Sequence, residues 1–322
     1  MGLFEVLSHF PRLLRLRREL HRRLLALSPD VFIGIDAPDF NLGLEIKLKR
    51  KGIRTVHYVS PTVWAWRQKR VRKIGRATDL VLCLFPFEPD FYRQHDIRAD
   101  YVGHPMADQI TASPGPLDAR LQLGLGPEGP TVALLPGSRV SEVQRLAGPM
   151  IDATRILAAR YPGLQFVAAM ANKEVHGVFQ QALNRASVTD VMLVEHQPRT
   201  AIAAADAVIC ASGTATLETM LINRPMVMAY RISAATYQLV KQLRIVKPQL
   251  FALPNILAGE RLIPELLQKE ATGELMAEEI GKWLDDKTSC ANLQRRFLEL
   301  HEQLRCDASE KAAQAVCGLL DS

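Results

Sequence analysis

Aromatic residues make up only 6% of this 322-residue chain, and just three are tryptophan. Cysteine is scarcer still. The five cysteines (Cys83, Cys210, Cys290, Cys306 and Cys317) are scattered, odd in number and never spaced as Cys-x-x-Cys. That pattern excludes a disulfide framework and offers no zinc site, so buried reduced thiols and a reducing cytoplasm are expected. No apolar run reaches the roughly 20 residues that cross a bilayer. Arginines break up the leucines near the N-terminus, so no signal peptide is expected. Gly-x-Ser-x-Gly, a Walker loop and His-Glu-x-x-His are all missing, and the Gly-x-Gly-x-x-Gly at 124–129 precedes a strand instead of following one. This pattern argues against hydrolase triads, ATP-driven steps and nicotinamide chemistry. No Asp-x-Asp pair closes a strand to hold a metal on a diphosphate, so neither metal nor cofactor is expected.

What is present is apolar residue in quantity, 48% of the chain, enough for two cores of ordinary domain size. Strands are expected at Asp30–Ile35, Ile53–Val59, Asp79–Leu84 and Ala99–Val102, with helices at Leu3–Leu27, Leu42–Lys51, Lys69–Gly75 and Pro86–Gln94. A stretch rich in glycine and proline, 113–130, reads as a linker around one short helix. Five further strands follow: Thr131–Leu135, Leu164–Ala169, Val191–Val194, Ala207–Cys210 and Met226–Ala229, with helix alone expected beyond Pro254-Asn255. Alternation of this kind predicts an α/β chain of two Rossmann-like, doubly wound parallel sheets. The division is 1–112, the linker 113–130, a second domain 131–300, and a C-terminal helix 301–322 that packs back on the first domain. A ligand is expected in the cleft between the sheets, at the carboxyl ends of the strands.

Two turns carry the strongest chemical signal. Gly137-Ser138-Arg139 follows the strand ending at Leu135, and Ser212-Gly213-Thr214 follows the strand ending at Cys210. Each is a small-residue turn opening a helix, which aims free backbone N–H groups and a positive helix end at one place. Arg139 adds a forked cation suited to a diphosphate. Thr216 belongs to the same turn, and Glu218 lies one helical turn on, within reach of a sugar hydroxyl. In the first half, Asp36 stands at the end of its strand as a candidate general base, with Asp39 as a second candidate or a helix cap. His57, Ser60, Trp64, Trp66 and Arg67 converge after the next strand as candidate catalytic or acceptor-binding groups, and His104 as a residue bordering the nucleotide.

The net charge of +6 is unevenly placed. Arg12, Arg15, Arg17, Arg18, Arg22 and Arg23 share a helix with leucines at three- and four-residue steps, a pattern of membrane-surface helices and equally of core-facing helices with a solvated basic back. A second cluster, Arg67, Lys69, Arg70, Arg72, Lys73 and Arg76, suits an anionic lipid, a sugar phosphate or RNA.

With these residues in hand, the chain resembles the lipid-A-disaccharide synthase family. The runs that carry the resemblance are GIDAPDFN (34–41), HYVSPTVWAWRQKRVRKIGRATD (57–79), LLPGSR (134–139), ASGTATLE (211–218) and LPNILAG (253–259). They occur in order along essentially the whole chain. The resemblance implies the GT-B fold and an inverting, metal-independent glycosyl transfer. The donor would be UDP-2,3-diacylglucosamine and the acceptor 2,3-diacylglucosamine 1-phosphate, giving the β-1,6 lipid A disaccharide 1-phosphate and UDP. It implies Asp36 as the base, Arg139 on the diphosphate, Ser212 to Glu218 on the nucleotide, and Asn255 facing the same cleft. It implies work at the cytoplasmic face of the anionic inner membrane of Gram-negative bacteria as a peripheral protein, with no nucleic-acid partner and a homodimer left open. Family members also carry a Gly-Glu-x-Ser-Gly-Asp-type loop and a further βα unit ahead of the matching region, so the N-terminal domain is expected to be incomplete. The rival readings are a UDP-sugar epimerase of the same fold and a non-catalytic RNA-binding protein.

Overall fold

The computed structural model describes residues 3–61, 70–233 and 250–321. They fall into two compact units. Unit 1 comprises the residues up to Asp108 together with those from Gln303 on, and unit 2 comprises Gln109–Glu302. The segment 113–130 is therefore part of unit 2 rather than a free linker. Its helix α6 (Pro116–Leu123) packs on a helix of that unit, α9 (Pro198–Ala204).

Unit 1 opens with helix α1 (Leu3–Leu27). It continues through β1 (Val31–Ile35), α2 (Pro38–Lys49), β2 (Arg54–Tyr58), α3 (Val71–Ala77), β3 (Leu80–Cys83), α4 (Glu88–Arg93), β4 (Ala99–Tyr101) and α5 (Pro105–Gln109). The four strands are parallel and lie in simple chain order, β1-β2-β3-β4. The expected parallel α/β sheet is present, with its strands laid on one side of β1 only among the described residues. Strand order reverses only where a later strand is laid on the far side of the first, and among the described residues β1 has no neighbour there. Ile35 on this edge is 62% exposed.

A parallel sheet must be covered on both faces. On one face Leu42, Val71, Ile74 and Tyr92 pack against Val81 and Cys83. The other face, with Val56, Leu80 and Leu82, is closed by Ala312 and Leu319 from the C-terminal helix α14 (Ala308–Leu320). The expected single C-terminal helix is thus two, broken at Asp307, whose φ is +54°. Asp108 holds the break: its carboxylate accepts the N–H groups of Cys306, Asp307 and Ala308 at 2.7–3.0 Å. A side chain distant in sequence thereby caps α14.

Unit 2 contains β5 (Thr131–Leu135), α7 (Val140–Arg160), β6 (Gln165–Met170), α8 (Lys173–Ala186), β7 (Val191–Glu195), α9, β8 (Ala207–Ala211), α10 (Thr214–Leu221) and β9 (Met226–Tyr230). After these come α11 (Leu253–Ala258), β10 (Glu265–Leu267), α12 (Gly273–Asp285) and α13 (Lys287–Leu304), within which the chain crosses back to unit 1. The sheet is parallel throughout, in the order β10-β9-β8-β5-β6-β7. That is the doubly wound order of dinucleotide-binding folds, with its switch point between β5 and β8. Every residue of β5 and β8 is buried, as continuous apolar strands covered on both faces should be. The strand β10 was not expected in a region read as wholly helical. It is three residues long, too short to show a period.

His104 is nine-tenths buried in unit 1. Its Nδ1 accepts the Met106 N–H at 3.1 Å, and its ring packs 5.8 Å from that of Phe85. These contacts give it a structural role in the core of unit 1. Burial pushes its pKa down to about 4. The unfolded chain takes up this proton near the ordinary histidine value of ~6.5, so the stabilising neutral form is lost as pH falls from there towards 4. His104→Gln keeps an acceptor but cannot titrate. In urea titrations from pH 7.5 to 4.5 it should lose less stability than wild type by about 2–3 kcal/mol at the acid end.

Candidate functional site

The two turns singled out in the sequence open side by side at the switch point. β5 and β8 are in register from Val132↔Ala207 to Leu135↔Cys210. The chain therefore leaves both strands at the same height. Gly137 (φ +117°) and Gly213 (φ +123°) take backbone conformations that side-chain-bearing residues rarely adopt. At Gly137 a Cβ would also lie 2.9 Å from Glu142 Oε2. Arg139 is the N-cap residue of α7 and Gly213 that of α10, so the first N–H groups of both helices lack intrahelical acceptors.

Between them lies a cavity of about 410 Å³ lined by Gly137, Ser138, Arg139, Ser212, Gly213, Thr214 and Glu218, among others. Seven of the nine expected donor-site residues are thus gathered around one space. Arg139 is largely exposed and pairs with Glu142 at 3.0 Å. Glu218 points one carboxylate oxygen at Arg199 Nε, 3.1 Å away. Sequence reasoning missed Glu142, Pro198 and Arg199. Glu142 was recoverable, since it falls in the first turn of α7. Arg199 was not, because only the fold brings α9 beside α10.

The remaining two donor residues lie elsewhere. Thr216 is fully buried and donates its hydroxyl to the Gly213 carbonyl, so it shapes the turn rather than lining the cavity. Asn255 is 0% exposed and saturated. Its amide donates to the Ile263 carbonyl and Glu265 Oε1, and its oxygen accepts the N–H groups of Leu262 and Ile263. Glu265 Oε1 also accepts the Phe251 and Ala252 N–H groups. This is a brace joining α11 to β10, with no atom free for a nucleotide.

In unit 1, Asp36 stands exposed at the carboxyl end of β1, with φ +49°. Asn41 donates to its carbonyl at 2.8 Å and to that of Ile35. Among the described residues the Asp36 carboxylate has no partner. Asp39 is paired with Arg70. His57 cannot meet a substrate: it and Glu45 are both fully buried, with Nδ1 2.7 Å from Glu45 Oε1. Gly34 makes room for that carboxylate, since a Cβ there would sit 2.1 Å from Oε1. Burial pushes the Glu45 carboxyl up, against the opposing pull of His57. Ser60 is also buried, with its hydroxyl 3.0 Å from that of Tyr92. Trp64, Trp66 and Arg67 lie outside the described residues. No cluster of metal-ligating side chains occurs among the described residues.

Unit 2 has a larger and more open groove of about 960 Å³, lined by Glu278, Lys282, Trp283 and Asp285 among others. Three of its acidic groups are already paired, Asp285 with Arg160 and Glu278 and Glu279 with Lys282. It also lies away from the two turns, so the smaller cavity is the better candidate for chemistry.

Two parallel-sheet α/β units, one of them presenting paired phosphate-type turns at its switch point, define the GT-B class of glycosyltransferases and epimerases. Solved structures agree. A UDP-GlcNAc 2-epimerase from Neisseria meningitidis, bound to UDP-GlcNAc, matches with a TM-score of 0.65 at 12% identity, over 95% of this chain and 81% of that one. The spinosyn rhamnosyltransferase SpnG, complexed with thymidine diphosphate, matches with a TM-score of 0.56 at 16% identity, over 95% and 78%. The family described as lipid-A-disaccharide synthetase matches residues 1–316. Lipid-A-disaccharide synthases of Xanthomonas campestris pv. campestris (strain 8004) and Xylella fastidiosa (strain 9a5c) are each 50% identical over 99% of this chain, covering 74% and 84% of those proteins. The chain belongs to the lipid-A-disaccharide synthase family, a family of glycosyltransferases.

The Asn255 brace yields a test. Asn255→Ala orphans the buried Ile263 N–H and the part-buried Leu262 N–H and removes a donor from Glu265, which should lower stability by about 2–4 kcal/mol in urea titration. A variant of unchanged stability that has lost nucleotide affinity would instead place Asn255 against the ligand.

Proposed function

We propose that this chain transfers 2,3-diacylglucosamine from UDP to the 6-hydroxyl of 2,3-diacylglucosamine 1-phosphate. The products are the β-1,6 disaccharide 1-phosphate and UDP. The observation that carries the reading is the cavity at the β5–β8 switch point, where two helix N-termini and Arg139 meet. UDP is seated there, with its diphosphate on the backbone N–H groups and Arg139 and its ribose hydroxyls on Glu218. The sugar–phosphate bond breaks with its electron pair on the diphosphate, and the helix ends and Arg139 stabilise that charge without a metal. Asp36 removes the proton of the attacking 6-hydroxyl, and attack from the face opposite the leaving group inverts the anomeric centre. The nucleotides bound in the two solved structures, UDP-GlcNAc and thymidine diphosphate, support a nucleoside diphosphate here.

Both substrates carry acyl chains, so the protein works at an anionic membrane surface. No helix among the described residues is long and apolar enough to cross a membrane. Instead α1 presents exposed Leu13, Leu16 and Leu27 beside its arginines. That combination supports shallow binding by apolar burial plus attraction to anionic headgroups.

Three experiments test this. Arg139→Ala removes a charge-assisted contact, so UDP affinity by calorimetry should fall about tenfold or more. Asp36→Asn should bind UDP as wild type does while disaccharide formation drops roughly 10²–10⁴-fold. Disaccharide formation undiminished in Asp36→Asn would assign the base elsewhere, and epimerised UDP-sugar with no disaccharide would favour the epimerase reading. On the membrane side, co-sedimentation with vesicles containing anionic lipid should weaken with added salt, and again when Arg12, Arg15, Arg18 and Arg22 become glutamine. Equal binding to neutral and anionic vesicles would show that charge plays no part.

A further inference from the structure

We propose that Arg199 is a positioning residue that sets the preference of the nucleotide cavity for ribose over deoxyribose, by fixing the carboxylate of Glu218. The inference rests on reading that cavity as a UDP site. It goes beyond that reading by assigning a role to a residue that is not among those lining the cavity.

The two carboxylates of the cavity, Glu142 and Glu218, are each paired with an arginine, but in different ways. Arg139 and Glu142 are three residues apart on one helix end, so their pair is local. Arg199 and Glu218 come from different helices, α9 and α10, so their pair reports the fold. Arg199 follows Pro198 in the first turn of α9, and Pro198 itself lines the cavity. Proline fixes its own φ, which gives Arg199 a well-defined starting point.

The contact is one-sided. Arg199 Nε donates to Glu218 Oε1, leaving Oε2 without a partner among the described residues. A glutamate side chain has three rotatable bonds, and a free one visits many orientations. Held by one oxygen, the carboxylate can present the other to the adjacent hydroxyls of a ribose at little further entropic cost. The pairing also neutralises Glu218, which would otherwise repel the diphosphate of the same ligand. The Glu218 side chain is mostly covered and that of Arg199 nearly half exposed, so the arginine can be changed without opening a core.

The test compares UDP with 2′-deoxy-UDP by calorimetry on the full chain in four forms: wild type, Arg199→Gln, Arg199→Lys and Glu218→Gln. Wild type should prefer UDP by about tenfold, the worth of a hydroxyl bonded to a charged acceptor. Arg199→Gln should reduce that preference to about twofold, mainly by weakening UDP, with an unchanged melting temperature. Arg199→Lys keeps a cation beside Oε1 and should retain an intermediate preference. If Glu218→Gln leaves the preference intact, the placement of ribose on Glu218 is wrong. If Glu218→Gln abolishes it while Arg199→Gln preserves it, the ribose reading stands and the role of Arg199 is overturned. Equal weakening of both nucleotides in Arg199→Gln would also overturn it, by showing that Arg199 acts on the shared diphosphate.

Discussion

The parallel pairing of β5 with β8 is the contact on which the cavity between the two turns depends. These strands are remote in sequence, and two other strands of the sheet intervene along the chain. Their register is pinned at the amino ends, away from the cavity. Asp206 donates its N–H to the Thr131 carbonyl, and its carboxylate accepts the Thr131 N–H at 2.7 Å. The same carboxylate oxygen is held by Arg120, a buried side chain that also donates to the carbonyls of Ala204 and Pro127. A one-residue slip would turn every side chain of a strand to the opposite face. With the amino ends fixed, the five-residue strands deliver Pro136 and Ser212 side by side about 17 Å away. The segment read as a linker turns out to supply Arg120, the anchor of this register.

The charges around the cavity fit the diphosphate proposed for it. A lone carboxylate 4 Å from a phosphate oxygen costs about 4 kcal/mol at an effective dielectric of 20. Pairing Glu142 with Arg139 and Glu218 with Arg199 leaves the helix N-termini as the net field. The Arg139–Glu142 pair is exposed and local, and such pairs contribute about 0.5 kcal/mol or less. A charge-assisted contact with a diphosphate is worth about 1.5–3 kcal/mol. The exchange therefore favours the ligand, and Arg139 is available despite its partner. Glu218 is more covered and its partner comes from another helix, so that pair is built to persist.

The sequence made the strands and both turns legible because buried parallel strands are continuous apolar runs, and because small residues at a strand end have few other uses. Boundaries fell within a residue or two for β5 to β9. Strand order was not legible, since the reversal at β8 depends on contacts between distant segments. Polar residues were misplaced where polarity serves burial. Asn255, Thr216 and His57 are the residue types that bind ligands, and they are equally the types that satisfy buried backbone and carboxylate groups. Nothing local distinguishes the two uses. Only Gly34, beneath Glu45, hints that a side chain is folded inward at that point.

The end of β1 in unit 1 separates the two candidate aspartates. Asp36 (φ +49°), Ala37 (φ +42°) and, at the end of β2, Val59 (φ +74°) all occupy the left-handed region. Each costs of order 1–3 kcal/mol and persists only where the surroundings over-determine it. Here they do: Asn41 clamps the Ile35 and Asp36 carbonyls, the Asp36 N–H is bonded to the Tyr58 carbonyl, and the Glu45–His57 pair fixes α2 to β2 beneath. In a turn that merely connected a strand to a helix, glycine would take a positive φ without strain. A carboxylate is held outward at this position instead, without a partner among the described residues, while Asp39 three residues on is tied to Arg70. The Asp39 carboxylate is already engaged by Arg70 and is the less available of the two. Of the two, Asp36 is therefore the one whose backbone strain and free carboxylate fit the removal of a proton.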